Sequence, residues 1–388
     1  MWIKRDFNID SVAQGALPIK VLRGPRQVGK TSLLARLGTH QVIYLDDAAT
    51  RLRAQEDARF FLDQLPTRII LDEAPLAPAL FPELKRRVDQ FRIAHQGELP
   101  DVWLTGSNQT LMHQEVGESL AGRASYFDLN TLSAHELGDL WTLRSYLLRG
   151  GWPELYASPQ LESSRYLNDI VSTYIERDIV IAAGIERRAA FLKALHLLAG
   201  RVGQLFVASD IARDAGVDAT TVQSWVSLLA TNAVVFPLPA YFSNLNKRLT
   251  KAPKYFFYDV GLAVRLQGWT DIDPIMNSPL FGHLFENIVV GEFIRFFLNR
   301  GTRPSLYFVR SKEKVEIDLL VELGNQRYLA VEVKTTPDPW TAKQHELVDS
   351  LGLTVVEKWV VSTSPAISFK ETAVVAIRDV WERLAAII

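Results

Sequence analysis

The sequence predicts an α/β fold in which a parallel-sheet domain comes first, a helical domain follows, and a mixed α/β domain comes last. Three observations predict it: a strand that runs through a glycine loop into a helix at 18–38, paired helical patterns at 205–236, and a hairpin of alternating aliphatic residues at 315–336. The length of 388 residues allows about two or three domains. We place the domains at 1–145, 146–189, 190–272 and 273–388, the second being a helical lid or linker.

Composition and charge exclude several classes of protein. Hydrophobic residues make up 48% of the chain and charged residues 22%, which is ordinary for a globular protein. Because cysteine is absent, disulfides, thiolate zinc sites and cysteine nucleophiles are excluded. The net charge of −1 offers no overall attraction to phosphate, so binding of nucleic acid would depend on local basic patches. No stretch reads as a signal peptide or a membrane span, so we expect a soluble, cytoplasmic protein with no membrane partner.

The first strand leads into a glycine loop, PIKVLRGPRQVGKTSLLARLG. The loop has the spacing G-x-x-x-x-G-K-[ST], in which glycines let the backbone wrap a phosphate, the lysine reaches its terminal oxygens, and the hydroxyl binds Mg²⁺. The alternative, a chance glycine turn, is disfavoured by the strand before the loop and the helix after it. The predicted nucleotide-binding residues are Gly24, Pro25, Arg26, Gln27, Val28, Gly29, Lys30 and Thr31, and Thr31 is also a predicted metal ligand.

Two further strands end in polar residues that suit the same site. The stretch TRIILDEAP provides Asp72, which would hold Mg²⁺ through water, and Glu73, which would orient or deprotonate the attacking water. The stretch DVWLTGSNQ provides Ser107 and Asn108, which could sense the terminal phosphate or the water. The alternative for each strand is a routine polar turn, and for the second strand it stays open.

Two later features bear on assembly and on the nucleotide. Arg123, in ESLAGRASYFDL, could reach the phosphates of a neighbouring subunit and make hydrolysis depend on a homo-oligomer. A plain surface arginine is the alternative. The turn RGGWPE at 149–154 breaks a helical pattern and could pack on the nucleotide base.

Together these motifs resemble those of bacterial and archaeal AAA+ ATPases that carry a C-terminal domain of unknown function. The turn RGGWPE is similar to an element of their signal-transducing (STAND) branch. YIERDIV and YFSNLNKRLTKAPKYFFYDVGL belong to the same pattern, so the resemblance covers nearly the whole chain. It implies ATP and Mg²⁺, hydrolysis of ATP, and a winged-helix module.

The stretch LFVASDIARDAGVDATTVQSWVSLLATNAVVF predicts a helix-turn-helix, with helices from about Ser209 and Ala219 and a turn near Gly216. The residues predicted to face inward are Val222, Trp225, Val226 and Leu229. The exposed positions of the second helix carry no cation, so contact with a DNA backbone would fall to a following wing. The cations of that wing are Lys247, Arg248, Lys251 and Lys254. Contact with DNA and a packing role beside the ATPase both stay open.

The last domain begins with a helix whose apolar stripe includes Glu286, and continues into the hairpin VEIDLLVELGNQRYLAVEVKTT. A three-residue loop at 324–326 gives one wholly apolar face, with Ile317 opposite Val333, Leu319 opposite Val331 and Val321 opposite Leu329. The other face then pairs Asp318 with Glu332, Glu316 with Lys334 and Glu322 with Tyr328. Because directly opposed carboxylates repel, this register predicts Mg²⁺ or Mn²⁺ between Asp318 and Glu332.

This arrangement resembles the core of the PD-(D/E)XK nucleases, with Ile317 where their pattern has proline. The resemblance implies that Asp318 and Glu332 bind metal, that Lys334 serves the attacking water, and that Glu286 is a further acid. In the alternative, Lys334 only pairs with Glu316 and the two acids lie at a solvated surface. The function would then be an ATP-dependent switch whose last domain binds nucleic acid or a partner, instead of a nuclease acting on DNA.

Overall fold

The computed structural model describes residues 2–94, 99–106, 109–181, 183–242, 251–364, 369 and 371–388. Its N-terminal part is a parallel five-stranded sheet of order β2-β3-β4-β1-β5. The strands are β1 (Ile19–Arg23), β2 (Gln41–Tyr44), β3 (Arg68–Asp72), β4 (Asp101–Thr105) and β5 (Ala124–Asp128). Central strands of a parallel sheet are covered on both faces, which is why β1, β3 and β4 are nearly continuous runs of buried residues. The predicted parallel α/β domain is confirmed.

Short helices cover this sheet. They are α1 (Ile9–Ala13), α2 (Lys30–Leu34), α3 (Ala48–Glu56), α4 (Ala58–Asp63), α5 (Leu80–Ala94) and α6 (Gln109–Ser119), with 3₁₀ turns at Ala35–Leu37 and Ala74–Leu76. One face of the sheet packs on Phe81 and Val88 of α5 and on Met112 of α6. The other face packs on α2 and on the helices that follow, so this parallel sheet and the rest of the chain share one continuous core.

The middle of the chain is helical. It contains α7 (Ala134–Leu137), a 3₁₀ turn (Gly138–Leu140), α8 (Leu143–Arg149), α9 (Pro153–Ala157), α10 (Ser163–Ile170), a π-helix (Val171–Ile181), α11 (Arg188–Ala199), α12 (Ala208–Ala215) and α13 (Ala219–Thr231). Two strands, β6 (Val235–Leu238) and β7 (Lys254–Phe257), then pair antiparallel and lead to α14 (Val260–Leu266) and α15 (Ile272–Met276).

The helix-turn-helix is formed by α12 and α13. Gly216 ends α12 in the left-handed conformation, with φ of 72°, and the Asp218 side chain caps α13. The four side chains predicted to face inward are all buried, so the predicted helix-turn-helix is confirmed. Of the predicted wing, Lys247 and Arg248 lie outside the described residues. Lys254 is only 4% exposed, so its prediction as a surface cation is wrong.

The C-terminal part is a mixed five-stranded sheet of order β12-β11-β10-β9-β8. Its elements are α16 (Phe281–Leu298), β8 (Ser305–Arg310), β9 (Glu316–Gly324), β10 (Arg327–Val333), α17 (Ala342–Asp349), β11 (Thr354–Ser362), β12 (Ala373–Ala376) and α18 (Val380–Ile387). Strands β8, β9 and β10 pair antiparallel, and β10, β11 and β12 pair parallel. Helices α16 and α18 cover one face, and Val348 of α17 covers the other.

The hairpin β9–β10 has the predicted register. Leu319 pairs with Val331, Val321 with Leu329, and Glu322 with Tyr328. The turn consists of Asn325 and Gln326, both with positive φ, and a bulge beside Gly324 gives the same register as a three-residue loop. The ladder ends at Leu319–Val331, so the predicted pairing of Asp318 with Glu332 is not formed as a ladder pair. The physical reason is that the N–H of Val333 donates to the Asp318 carboxylate, at 2.8 Å.

None of the described helices is both long enough and apolar enough to cross a membrane.

Candidate functional site

The glycine loop between β1 and α2 forms a cradle that only glycine permits at its first position. Gly24 has φ of 145°, and a Cβ atom there would lie 1.9 Å from the carbonyl oxygen of Leu129. Gly29, with φ of 90°, begins α2. Lys30 follows it and donates from Nζ to the carbonyl oxygens of Gly24 and Pro25, at 2.9 and 2.8 Å.

Burial lowers the pKa of Lys30 to about 8, although the carboxylates of Glu73 and Asp72 oppose that shift. An ammonium group held in so little water gains more from a phosphate than an exposed lysine would. The structure therefore places the predicted phosphate-binding lysine inside its own loop, where it donates to carbonyl oxygens that a phosphate oxygen could replace.

The Thr31 hydroxyl and Asp72 are brought together across the sheet. Thr31 Oγ1 donates to Asp72 Oδ1 at 2.6 Å, and the hydroxyl of Thr105, at the end of β4, donates to the same oxygen. A hydroxyl and a carboxylate are oxygen donors of the kind that Mg²⁺ prefers, so Thr31 and Asp72 fit the predicted metal. Thr105 was not predicted, although it ends the strand DVWLT that pairs with β3.

Of the other residues predicted for this site, the structure describes Glu73 but not Ser107 or Asn108. Glu73, next to Asp72, lines the same cavity and has a left-handed backbone with φ of 53°. Ser107 and Asn108 lie outside the described residues, between Gly106 and Gln109. Their role as sensors of the terminal phosphate stays a prediction.

A cavity of about 540 Å³ adjoins the loop. The predicted turn RGGWPE reaches it through Pro153 and Glu154, whereas Trp152 is buried and packs edge-on against Tyr166. Tyr166 also lines the cavity and donates from its hydroxyl to Gln27 Oε1, at 2.5 Å. The side chain best placed to meet a base is therefore that of Tyr166, and not that of Trp152.

Two arginines that line the same cavity, Arg5 outside the predicted site and Arg26 within it, hold the loop in place. Arg5 donates to the carbonyl oxygens of Val28 and Asn130, at 2.8 and 2.7 Å, and pairs with Glu136 at 2.7 Å. Arg26 of the loop pairs with Asp178 of the π-helix at 2.8 Å. Arg5 belongs to no motif that could have predicted its role, and Asp178 belongs to the family stretch YIERDIV.

Arg123 lies at the amino end of β5, and the glycine loop lies at the carboxyl ends of the strands. Its guanidinium makes two contacts with Asp89, at 2.7 and 2.8 Å, and donates to the carbonyl of Ala121. This pairing raises the pKa of Arg123 and lowers that of Asp89. Arg123 therefore cannot act on the nucleotide site of its own chain.

The turn RGGWPE at 149–154, which we call the lid turn, is bonded through Asp259 to the segment that joins β7 to α14. The N–H of Gly151 donates to Asp259 Oδ2 at 2.8 Å, and Asp259 also caps α14 by accepting from the N–H of Leu262 at 3.0 Å. Burial raises the pKa of Asp259. Gly150 packs so closely that a Cβ atom there would lie 1.9 Å from Asp259 Oδ1.

A second set of hydrogen bonds joins α16 to the segment that follows β5. Glu292 accepts from the N–H of Ala134 at 3.0 Å and from the indole of Trp381 at 2.9 Å. Arg295, one turn later, donates to the Thr131 carbonyl at 3.2 Å and to the Tyr258 carbonyl at 2.5 Å. These contacts join α16 to the segment that follows β5.

The predicted carboxylates Glu286, Asp318 and Glu332 lie at the other end of α16, together with Glu316 and Lys254. We call these five residues the acidic pocket. Lys254 Nζ lies 3.0 Å from Glu286 Oε1 and 2.5 Å from Glu316 Oε1. Glu332 Oε2 is buried and has no hydrogen-bond partner among the described residues. The membership of Glu316 in this pocket was not predicted. The role of Lys254 as the cation of the pocket was not predicted either.

The carboxylates of the acidic pocket disfavour one another's ionisation. Burial, then Glu286 and Glu332, raises the pKa of Asp318 well above its usual range. Burial also raises the pKa of Glu332 to about 7, against the opposing effect of Lys334. Burial alone would lower the pKa of Lys254, but Glu286, Asp318 and Glu316 outweigh it and raise that pKa. The pocket thus gathers four carboxylates around the ammonium of Lys254, and Arg310 and Lys334 are further cations beside it.

The alternative pairing of Lys334 with Glu316 is wrong. Glu316 pairs instead with Lys254 and, at 3.4 Å, with Arg310. Lys334 Nζ lies 3.1 Å from the carbonyl oxygen of Pro339. β7 places Lys254 beside Glu316, the first residue of β9, so that their side chains pair at 2.5 Å.

The acidic pocket fits a divalent cation only in part. Across the described ranges, no group of three or more His, Cys, Asp or Glu side chains is arranged to hold a metal ion. The ammonium of Lys254 separates Glu286 from a common ligand set. The unpartnered oxygen of Glu332 and the nearby Asp318 are the two ligands that the predicted metal would have.

The parallel sheet, the loop with its buried lysine, and the Thr31–Asp72 contact define a P-loop ATPase domain of the AAA class. Residues 17–138 match the family model described as AAA domain. Residues 140–273 and 281–378 match two models described as domains of unknown function, DUF8612 and DUF4143. The predicted AAA domain and the C-terminal domain of unknown function are therefore confirmed.

The chain is 33% identical over 330 residues to the uncharacterized protein Rv2008c of Mycobacterium tuberculosis, covering 83% of this chain and 71% of that protein. The uncharacterized protein Mb2031c of Mycobacterium bovis matches with the same identity and coverage. The chain belongs to the family of these mycobacterial proteins. The Walker-type ATPase PABY2304 of Pyrococcus abyssi is similar at 15% identity with a TM-score of 0.39, covering 67% of this chain and 96% of that one; the family assignment does not depend on it.

Proposed function

We propose that this protein hydrolyses ATP and that the nucleotide cycle switches the contacts between its ATPase domain and its C-terminal domain. The observation that carries the proposal is the placement of Lys30 and the Thr31–Asp72 pair at one edge of the sheet. The lid turn beside the same cavity is hydrogen-bonded to Asp259, which caps α14, and α14 contacts α16 of the C-terminal domain. A nucleotide there would therefore act on a connection to that domain. The test is to measure phosphate release from ATP by the intact chain and by Lys30→Ala. The variant is expected to lose this release.

Each residue of the loop has a role in this proposal. Lys30 exchanges the carbonyls of Gly24 and Pro25 for oxygens of the terminal phosphate. Thr31 and Asp72 hold Mg²⁺, which neutralises phosphate charge when bound. Glu73 orients or deprotonates the attacking water, and Asn108 senses the terminal phosphate. The residues from Gly24 to Gly29, apart from Pro25, provide backbone N–H groups, and Tyr166 packs against the base.

We further propose that the protein acts as a homo-oligomer in which Arg123 serves the neighbouring site. This rests on the position of Arg123 at the edge of the sheet away from its own loop. Its partner Asp89 keeps the guanidinium extended until a neighbouring phosphate replaces it. The ion pair lies at the surface and is exchanged at little cost.

The Arg123→Ala variant is expected to lose about 10³-fold in turnover while still binding ATP, because the finger stabilises charge only in the transition state. Turnover is measured by phosphate release and assembly by light scattering. Arg59→Ala, on the exposed side of α4, is the control and is expected to hydrolyse normally. A monomer in the presence of ATP, together with normal turnover in Arg123→Ala, would disprove the proposal.

For the helix-turn-helix we propose a winged-helix module that mainly packs beside the ATPase domain. The end of α13 contacts α6, because Asn232 Nδ2 donates to Thr110 Oγ1 at 2.9 Å. The hydroxyl of Tyr174 donates to the carbonyl of Asn232 from the π-helix. Since Lys254 is buried, Lys251 is the one described cation of the predicted wing left at the surface, so contact with DNA is the weaker proposal.

A second candidate function is cleavage of nucleic acid, DNA first, by the acidic pocket. The observation that favours it is the buried, unpartnered oxygen of Glu332 beside Asp318. A Mg²⁺ or Mn²⁺ ion bound there would stabilise charge on a phosphodiester, with Glu286 as a further acid. Lys334 would orient the attacking water. The position of Lys254 favours the alternative, in which this domain binds nucleic acid or a partner without cutting it.

Purified chain is to be incubated with DNA and with RNA in Mg²⁺ or Mn²⁺, next to Lys334→Ala. If the domain cuts, the variant is expected to lose at least about 10²-fold in cleavage rate, the range general acid–base catalysis contributes. Lys343→Ala, exposed on α17, is the matched control and is expected to cut normally. Absence of any cleavage that Lys334→Ala abolishes would leave the binding role in place of the nuclease.

A further inference from the structure

A groove of about 730 Å³ lies at the free edge of the parallel sheet and is lined by all four residues of β2. Strand β2 is the last strand in the order of this sheet, and among the described strands it pairs only with β3. Residues of α3 and α4 form the opposite wall. None of the described residues lines both this groove and the cavity beside the glycine loop, so the groove is a separate surface of the ATPase domain.

The outer edge of β2 presents backbone groups that no other described strand uses. The N–H of Leu45, the residue after β2, donates to the Asp72 carbonyl of β3 at 3.1 Å. Because the N–H groups of successive strand residues point to opposite edges, those of Val42 and Tyr44 point away from β3. The strand carries neither lysine nor proline, two residues that commonly protect an exposed edge. This edge can therefore accept a further strand.

Aromatic side chains gather in the groove instead of lying in the core. Tyr44 is 51% exposed and Phe60 is 64% exposed. Phe61 and Leu65 line the groove as well and are partly buried against the core. Scattered apolar side chains are ordinary on a protein surface, whereas several that line one groove mark a surface for a partner.

The charged residues that line the groove are mainly acidic. They are Asp47, Glu56 and Asp57, against the single cation Arg53. Asp47 caps α3 by accepting from the N–H of Thr50 at 2.8 Å, and this bond lowers the pKa of its carboxyl, so the group is ionised at neutral pH. Asp57 caps α4 in the same way. Within the described residues, none of the three carboxylates forms a salt bridge, so their charge is available to a basic partner.

We propose that this groove binds an extended, basic segment of a partner protein, which adds a strand to β2. Main-chain hydrogen bonds to the edge hold such a segment, and its side chains point alternately to opposite faces. Apolar side chains of the segment pack on Phe60 and Phe61, and its lysine or arginine side chains reach Glu56 and its acidic neighbours.

Charge separates this partner from a second copy of the chain. Symmetric pairing of β2 with β2 of another copy would bring two acidic rims together, and like charges that meet across an interface disfavour it. A nucleic acid is disfavoured for the same reason, because its phosphates would face the carboxylates. The proposal concerns binding alone and does not depend on hydrolysis of ATP.

The probe is a short fluorescein-labelled peptide of alternating lysine and valine, and its binding to the intact chain is measured by fluorescence anisotropy. Wild type is expected to bind it, and Phe60→Ala to bind it at least about tenfold more weakly, because an exposed aromatic ring provides much of the apolar contact. Leu52→Ala is the matched control, since Leu52 is 55% exposed on α3 but does not line the groove. This variant is expected to bind as wild type does.

Two further peptides test the two kinds of recognition. The same peptide with N-methyl groups on alternate residues cannot donate from one edge, and it is expected to bind at least about tenfold more weakly. The peptide with glutamate in place of lysine is expected to bind more weakly still, because the rim repels it, and added salt is expected to reduce this difference.

Four results overturn the proposal. They are failure of the lysine peptide to bind wild type, equal binding of the glutamate peptide, equal binding of the N-methylated peptide, and unchanged binding by Phe60→Ala. Sedimentation of wild type and Phe60→Ala without peptide tests the second copy. Self-association of wild type that Phe60→Ala abolishes would assign the groove to contact between copies, and it would also overturn the proposal.

Discussion

Replacing Lys30 by alanine is expected to reduce ATP hydrolysis at least about 10²-fold, because the variant lacks the one buried ammonium group that the loop offers to the phosphates. ATP affinity is expected to fall as well, since this ammonium would contact the bound phosphates and the transition state alike. The measurement is phosphate release with Mg²⁺ at saturating ATP, together with a binding titration of ATP.

Loss of fold does not account for this result, because burial already lowers the pKa of Lys30 to about 8 and its charged form is disfavoured by desolvation in the free protein. The circular dichroism and melting temperature of Lys30→Ala are expected to stay close to those of wild type. Lys85→Ala, exposed on α5, is the control for removal of a lysine from the same domain. Wild-type turnover in Lys30→Ala would mean that the glycine loop is not the site of hydrolysis.

The Gly150→Ala variant is expected to destabilise the lid turn strongly. Its backbone has φ of 61° and ψ of −154°, a region that is nearly restricted to glycine. The added Cβ would also lie 1.9 Å from Asp259 Oδ1, so either the turn or the cap of α14 must move. We expect the free energy of unfolding in urea to fall by about 3 kcal/mol or more, the sum of backbone strain and overpacking.

Gly138→Ala separates the two contributions. Gly138 has φ of 52° and ψ of −122°, close to the values of Gly150, but a Cβ there meets nothing within 4 Å. It is expected to lose about 1–2 kcal/mol from strain alone. Since Gly150→Ala also breaks the Gly151–Asp259 contact, its ATP turnover is expected to fall while that of Gly138→Ala is retained. Equal losses of stability in the two variants would show that the contact with Asp259 contributes nothing.

Sequence reasoning identified the nucleotide loop because its signal is local. The strand, two glycines, lysine and threonine are within one short stretch, and their spacing specifies backbone shape directly. The register of β9–β10 was predictable for a similar reason, because a shift of one residue would place Leu319 and Val321 on the wrong face.

Residues that act over long sequence separations were missed. Arg5 reaches Asn130 across 125 positions, and Lys254 reaches Glu286 across 32. A buried cation of this kind has no periodicity or spacing that distinguishes it from a surface one. Lys254 looked like part of a basic wing because Lys247, Arg248 and Lys251 precede it in sequence. Only the pairing of β7 with β6 takes it under α16 and into the acidic pocket.

Helix α16 carries Glu286 in the acidic pocket and Glu292 in the contact with the ATPase domain. The two residues are six positions apart, which is about 9 Å along the helix axis. Because both contacts belong to one rigid element, whatever favours one arrangement of the helix at Glu292 also favours it at Glu286. Thermodynamic linkage then requires reciprocity. If nucleotide changes the affinity of the acidic pocket for a cation or partner, that cation or partner changes the affinity for nucleotide by the same factor.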